Sequence, residues 1–272
     1  SSYALIQETV ALVEEYLTTQ GVELQPFSLD IRGKMEREGK KFGLGSSGSV
    51  VVLVIKAMLA FYERLADREL LFKLASAVLL KRGDNGSMGD IACIVSEDLV
   101  LYQSFDREKV ADWLEKENLQ VVLARDWGFS IRSVEPALKF DFLVGWTKEP
   151  AISSDLIRQV KGAIKEDFLQ ESQSAVKNLE KGLREGNQKE IETSIKRADQ
   201  SLKSLNPLIY TPALKELQEA TEGLSACAKS SGAGGGDCGI ALSFDPVETQ
   251  ILIKRWKKKN IEVIYQERMG DS

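Results

Sequence analysis

Lys40-Lys41-Phe42-Gly43-Leu44-Gly45-Ser46-Ser47-Gly48-Ser49-Val50 is the stretch on which the reading of the fold turns. A loop rich in glycine and serine runs here directly into the apolar segment from Val50 to Tyr62. Glycine lets backbone bend close to a ligand, the serines offer hydroxyls and a helix N-cap, and the first N–H groups of a helix lack intrahelical acceptors. Added to the positive end of the helix dipole, these groups favour phosphate. A plainer role satisfies the same residues, with Ser46 or Ser47 capping a buried helix after a surface turn. The rest of the chain decides between the two.

Outward toward the N-terminus, Leu5, Ile6, Val10, Leu12, Val13 and Leu17 share one helical face, Phe27 to Ile31 alternates like a half-buried strand, and Met35 to Lys41 reads as a charged connection. Outward in the other direction, Val50 to Leu65 predicts a helix apolar all round and therefore central, followed by a second helix from Glu69 to Leu80. Lys81-Arg82-Gly83-Asp84-Asn85-Gly86-Ser87-Met88-Gly89-Asp90 is another polar glycine loop, leading into apolar Ile91 to Val95. Asp90 stands at that junction, either as a first-turn or N-cap aspartate or as a carboxylate at the mouth of a phosphate pocket. Leu99 to Gln103 and Phe140 to Trp146 read as strands, with a helix from Arg107 to Asn118 between them.

From Ser153 to Leu205 the pattern is helical, charged and amphipathic, with a start signal at Ser154-Asp155 and a break at Gly186-Asn187. Pro207 and Pro212 bracket a connection, and Ala213 to Ala228 predicts another helix. A third glycine loop, Lys229 to Gly239, then leads to a strand from Ile240 to Phe244. Its glycines at 232, 234, 235, 236 and 239 exceed what a turn needs, so a close approach to another group is expected. Asp245-Pro246 opens a helix whose end carries Lys254, Arg255, Lys257, Lys258 and Lys259, complementing the dipole, and Ile261 to Gln266 closes as a strand.

Composition narrows the chemistry. The 272 residues, 43% of them hydrophobic, suffice for one large or two smaller cores. With 36 Lys+Arg against 41 Asp+Glu, a net charge of −5 provides no global attraction to nucleic acid or an anionic membrane. The longest apolar run, Val50 to Ile55, is too short to span a bilayer, and the expected location is the cytoplasm. Cys93, Cys227 and Cys238 lie far apart without metal-type spacing and read as free thiols. The absence of histidine excludes Ser-His-Asp and Cys-His catalysis and every His-containing metal site. Acid–base work falls to carboxylates and lysines.

Two nucleotide motifs fail in detail. No G-x-x-x-x-G-K-[ST] is present. Gly43-Leu44-Gly45-Ser46-Ser47-Gly48 fits G-x-G-x-x-G literally, but the charged run before it and the helix after it lack the flanking strands of a dinucleotide fold.

In order and spacing, the three loops resemble the second motif, catalytic-aspartate loop and third motif of the GHMP small-molecule kinase superfamily. Gly43-Leu44-Gly45-Ser46-Ser47 is similar to its phosphate loop and Gly232-Ala233-Gly234-Gly235-Gly236 to its C-terminal glycine loop. Within it, Lys34 to Gly48, Arg82 to Asp90 and Gly145-Trp146-Thr147 resemble the bacterial phosphomevalonate kinases. The resemblance implies an α+β, two-domain GHMP-kinase-like fold with the active site in the cleft between domains, residues 1–136 forming the ATP-binding domain and 137–272 the C-terminal domain. It further implies Mg²⁺-assisted transfer of the γ-phosphoryl group of ATP to 5-phosphomevalonate.

The resemblance also assigns roles. Gly43, Leu44, Gly45, Ser46, Ser47, Gly48 and Ser49 would hold ATP, with Ser46 or Ser47 reaching phosphate oxygen or Mg²⁺. Asp90 would be the catalytic aspartate. Lys41, Ser87, Ser153, Gly234 and Gly235 would contact the acceptor, with Lys40 and Arg82 as further cations, and Trp146 would line the site or sit in the core. The superfamily's first motif has no counterpart here, which implies an N-terminally shortened kinase whose adenine contacts are partly absent. Another acceptor, such as mevalonate, and a binding-only fragment stay open.

Overall fold

Helix α3, Arg68–Lys81, shows why the first half of the chain folds as it does. Asp67 accepts from the Leu70 N–H at 2.8 Å to cap it, and every residue from Leu71 to Leu80 is buried. The computed structural model describes residues 2–33, 36–37, 39–150, 160, 162–232 and 234–270. These fall into two compact units, one comprising Ser1–Gly33 and Gly45–Val134, the other Lys34–Leu44 and Glu135–Ser272. The chain passes from the second unit back to the first within the glycine loop, after Leu44.

In the first unit, α3 is surrounded by α1 (Ser2–Thr19), α2 (Ser46–Phe61), α4 (Gly89–Ser96), α5 (Arg107–Lys116) and α6 (Leu119–Ala124). The central helix is thus α3 rather than α2, which leaves Leu53 59% exposed. One face of α2 still packs Val51, Val52, Val54, Ile55, Met58 and Leu59 into the core. The expected strand at 27–31 has no regular structure: no described strand pairs with it, and Phe27 instead meets Phe61 at 5.7 Å between ring centroids. Asn118, expected at the end of a helix, accepts from Gln120 N–H and starts α6. A short antiparallel pair, β3 (Val100–Gln103) with β4 (Ser130–Ser133), completes the unit.

Lys73 lies buried on α3. Its ammonium donates to the carbonyls of Leu123 and Arg125 at 3.0 and 2.8 Å and pairs with Glu69 at 2.7 Å, closing the C-terminal end of α6.

The second unit is built on an antiparallel sheet in the order β6-β7-β5-β8, from β5 (Phe140–Trp146), β6 (Ala226–Ser230), β7 (Cys238–Ser243) and β8 (Glu262–Met269). Around it run α7 (Glu166–Glu185), α8 (Gln188–Leu205), α9 (Pro212–Glu219) and α10 (Pro246–Lys258). The break between α7 and α8 falls at Gly186 (φ 68°), after which Asn187 caps α8; the start signal at Ser154-Asp155 lies outside the described residues. The charged connection at 35–41 contains two short strands, β1 (Glu36–Arg37) and β2 (Lys40–Lys41), paired antiparallel, and Arg37 forms an ion pair with Glu262 of β8.

The predicted helix from Ala213 to Ala228 is corrected: α9 ends at Glu219, and Ala226-Cys227-Ala228 enters β6. These small residues suit a helix locally, but the ladder with β7 and the buried face of the sheet override that preference. Opposite each other on β5 and β7 stand Gly145 and Gly239. A Cβ at 145 would lie 2.8 Å from the Trp256 ring, and one at 239 would lie 2.6 Å from Leu217. Gly145 thereby seats Trp256, fully buried, whose indole N–H donates to Leu217 O at 2.8 Å, and Gly239 admits the Leu217 side chain.

Gly145→Ala is expected to lower stability by roughly 1–3 kcal/mol through overpacking against Trp256. Urea unfolding followed by tryptophan fluorescence checks it; an unchanged midpoint would show that the indole needs no such seat.

Candidate active site

The glycine–serine loop before α2 acquires its shape from two left-handed glycines, Gly43 at φ 71° and Gly45 at φ 73°. Neither conformation suits a residue with a Cβ. Gly45 is the N-cap of α2, and the first intrahelical bond runs from Ser49 N–H to Gly45 O at 3.0 Å. Ser46 and Ser47 therefore occupy the first turn and do not supply the expected cap; no side chain caps this helix. Their hydroxyls and the opening N–H groups are left at the positive end of the dipole, with Ser47 exposed, Ser46 and Ser49 half-buried and Gly48 buried beneath them.

Asp90 sits in the first turn of α4, after a left-handed N-cap at Met88 (φ 64°). Its carboxylate rests against the start of α2: a Cβ added at Gly45 would stand 3.1 Å from Oδ2, and one at Gly48 2.9 Å. Asp90 is thus a first-turn aspartate of α4 whose carboxylate lies beside the glycine–serine loop. Solvent reaches the side chain, yet packing against the neighbouring backbone removes enough water to raise its pKa above the ordinary carboxylate value. N–H groups of Ile91 and Asp90 itself pull in the opposite direction, and the charge of Asp84 adds a smaller upward push.

Ser87 precedes this turn, exposed, with its hydroxyl accepting from Gly89 N–H at 3.3 Å. Its carbonyl accepts from Tyr102 Oη at 2.8 Å and Ser104 Oγ at 3.3 Å, tying the aspartate loop to the end of β3. Sequence reading passed over Tyr102 and Ser104, whose only signal was a polar group on alternate positions leaving a strand. Burial raises the Tyr102 pKa, and the Asp90 charge acts in the same direction. Arg82 is drawn away to an ion pair with Glu8 at 2.5 Å.

In the second unit the third glycine loop joins two antiparallel strands, β6 and β7, rather than the expected helix and strand. Gly235 N–H donates to Ile209 O at 2.7 Å and Gly234 N–H to Ser231 O at 3.3 Å, so both amides are engaged within the loop's own anchorage. A cavity of about 570 Å³ is lined by Gly39, Lys40, Gly43, Trp146, Lys148 and Asp237, among others. Trp146 is both core and lining: it is 3% exposed, meets Phe42 edge-to-face at 4.9 Å and borders the cavity. Lys40 Nζ donates to Lys148 O at 3.2 Å. Lys41 lies on β2 opposite Glu36, and Ser153 is outside the described residues. Among the described residues no group of three or more Cys, Asp or Glu side chains is placed to hold a metal ion.

Comparison with known proteins follows the same loops. Residues 4–97 match the GHMP kinases N terminal domain and residues 176–262 the GHMP kinases C terminal family. The phosphomevalonate kinase of Streptomyces sp. (strain CL190) is 31% identical over 96% of this chain and 73% of that protein. A solved structure of Streptococcus pneumoniae phosphomevalonate kinase, in complex with phosphomevalonate and AMPPNP, is 61% identical with a TM-score of 0.95, over 98% of this chain and 81% of that one. Mevalonate kinase of L. major, 14% identical with a TM-score of 0.63 over 96% of this chain and 75% of that one, shares the fold alone. The chain belongs to the GHMP kinases, within their phosphomevalonate kinase family.

Proposed function

We propose that this chain transfers the γ-phosphoryl group of ATP to 5-phosphomevalonate, giving 5-diphosphomevalonate and ADP in the mevalonate route to isoprenoids. The observation that carries this reading is 61% identity to a phosphomevalonate kinase solved with phosphomevalonate and an ATP analogue. The loop geometry supports it independently, because uncapped N–H groups and hydroxyls at the start of α2 face an aspartate held by a second glycine loop.

ATP phosphates lie on Gly43, Leu44, Gly45, Ser46, Ser47, Gly48 and Ser49, with residues 1–136 as the ATP-binding domain and 137–272 as the C-terminal domain. An acceptor that is already a phosphate is largely ionised at neutral pH, so Asp90 has little proton to remove. Its task is to orient the attacking oxygen and take up the last proton where one remains. Lys41, Ser87 and Ser153 contact the acceptor and offset like charge as the two phosphates approach. Gly234 and Gly235 serve that contact by shaping the loop, since their own amides are engaged.

Mg²⁺ fits the donor set: with oxygen ligands only, few carboxylates and a preference for retaining water, it is commonly held by one or two protein groups plus phosphate. Ser46, Ser47 and Asp90 would hold it with the nucleotide, where it neutralises charge on the transferring group. No helix among the described residues is long and apolar enough to cross a membrane. We assign the reaction to the cytoplasm because its substrates are small charged phosphates.

ADP release from MgATP should depend on 5-phosphomevalonate; equal release with mevalonate would move the chain to a different acceptor. Asp90→Asn should lower kcat by about 100-fold through loss of orientation. Because the folded state holds the Asp90 proton more tightly than the unfolded chain does, its ionisation subtracts from stability once pH exceeds the folded pKa. The same variant should therefore melt no lower than wild type at neutral pH, and any gain should disappear in acid below the unfolded pKa; calorimetry across pH reads this directly. Gly45→Ala, which forces a Cβ into a left-handed position beside Asp90, should cut kcat/KM for ATP by about tenfold or more. Wild-type kinetics in that variant would remove the loop from ATP binding.

A further inference from the structure

Asp237 is the one described residue without glycine's freedom that holds a left-handed conformation within the third glycine loop, at φ 54°. Glycine takes the positive-φ positions 232, 234, 235 and 236 before it, and an aspartate takes the next one. A side chain at such a backbone position invites the question of its use.

Its surroundings identify that use. The Asp237 backbone is fixed on the extension of β5: its N–H donates to Glu149 O at 2.7 Å, and its carbonyl accepts from both the N–H and Oγ1 of Thr147 at 2.8 Å. From this fixed point the carboxylate fills the space above Gly43. A Cβ at 43 would overlap Asp237 Oδ2 and Cγ. The next residue reinforces the contact, since Cys238 Sγ donates to Phe42 O at 3.1 Å. Residues 237 and 238 thus hold residues 42 and 43 from above and from the side, at the point where the chain turns into the phosphate loop.

We propose that Asp237 is a positioning residue for nucleotide binding: its side chain packs on Gly43 and fixes the left-handed turn that presents the phosphate loop. This rests on the reading of residues 43–49 as the ATP site. The third glycine loop then acts on ATP through the second motif, in addition to any contact of its own. The contact that carries the effect is a side chain lying on a bare Cα. Asparagine, which has the same outline and tolerates left-handed backbone, should preserve it.

The test compares Asp237→Gly, Asp237→Ala and Asp237→Asn for calorimetric affinity toward Mg·AMPPNP, for kcat and KM with ATP and 5-phosphomevalonate, and for thermal midpoint. Asp237→Gly relieves the backbone and should melt no lower than wild type, yet bind nucleotide about tenfold more weakly, with the loss in KM for ATP. Asp237→Asn should bind within about twofold of wild type. Wild-type affinity in Asp237→Gly, or losses that merely follow a lowered melting point, would overturn the proposal, and so would a weakened Asp237→Asn. Failure of the wild-type chain to turn over 5-phosphomevalonate while Asp237→Gly still weakens AMPPNP would instead refute the substrate and leave Asp237 in its role.

Discussion

The carboxylate of Asp90 occupies the space that side chains at positions 45 and 48 would need, and much of the first unit serves to keep it there. Gly45 is therefore required twice and Gly48 once. One provides the left-handed N-cap that turns the loop into α2, and both leave bare backbone against which an acid can lie. The aspartate is held from its own side by the Met88 turn and by the bonds from Tyr102 and Ser104 to Ser87. Beneath both helices runs α3, buried from Leu71 to Leu80, so that α2 and α4 start from a rigid floor.

This arrangement places an acid where desolvation opposes its ionisation, and it leaves the first turn of α2 without a side-chain cap. Either feature alone would be a small loss of stability, since a cap contributes about 0.5–2 kcal/mol. Together they create open donors beside a carboxylate, which suits an ionic ligand that supplies the missing acceptors. The second unit shows a parallel economy of side chains. Gly145 clears the sheet for Trp256 and Gly239 for Leu217, while Gly43 yields its space to Asp237. These five glycines, Gly45 and Gly48 among them, mark places where another group comes close.

Much of the site was legible because its signals are local. Glycine and serine clusters ahead of apolar runs, Asp90 at a loop–helix junction and Asp245-Pro246 at a helix start depend on residues a few positions apart, and the structure has them so. Misreadings arose where a distant partner decides. Ala226-Cys227-Ala228 has helical preference until β7 pairs with it, and Phe27 to Ile31 has strand alternation but no described strand beside it. Lys73, on which the sequence carried no reading, is buried because the carbonyls of Leu123 and Arg125, some fifty positions away, close around its ammonium.

Sequence alone determined the positions of the three loops, the chemistry that a chain without histidine must use, and the resemblance that names the family, because composition and short-range order survive in one dimension. Only the tertiary structure decided that Gly45 rather than a serine caps α2, that α3 rather than α2 is central, and that the Asp90 carboxylate meets Gly45 and Gly48. It alone brought Asp237 over Gly43, nearly two hundred residues apart in the chain. The physical reason is excluded volume: which side chain fills a space is settled by what else packs there, and no local propensity records it.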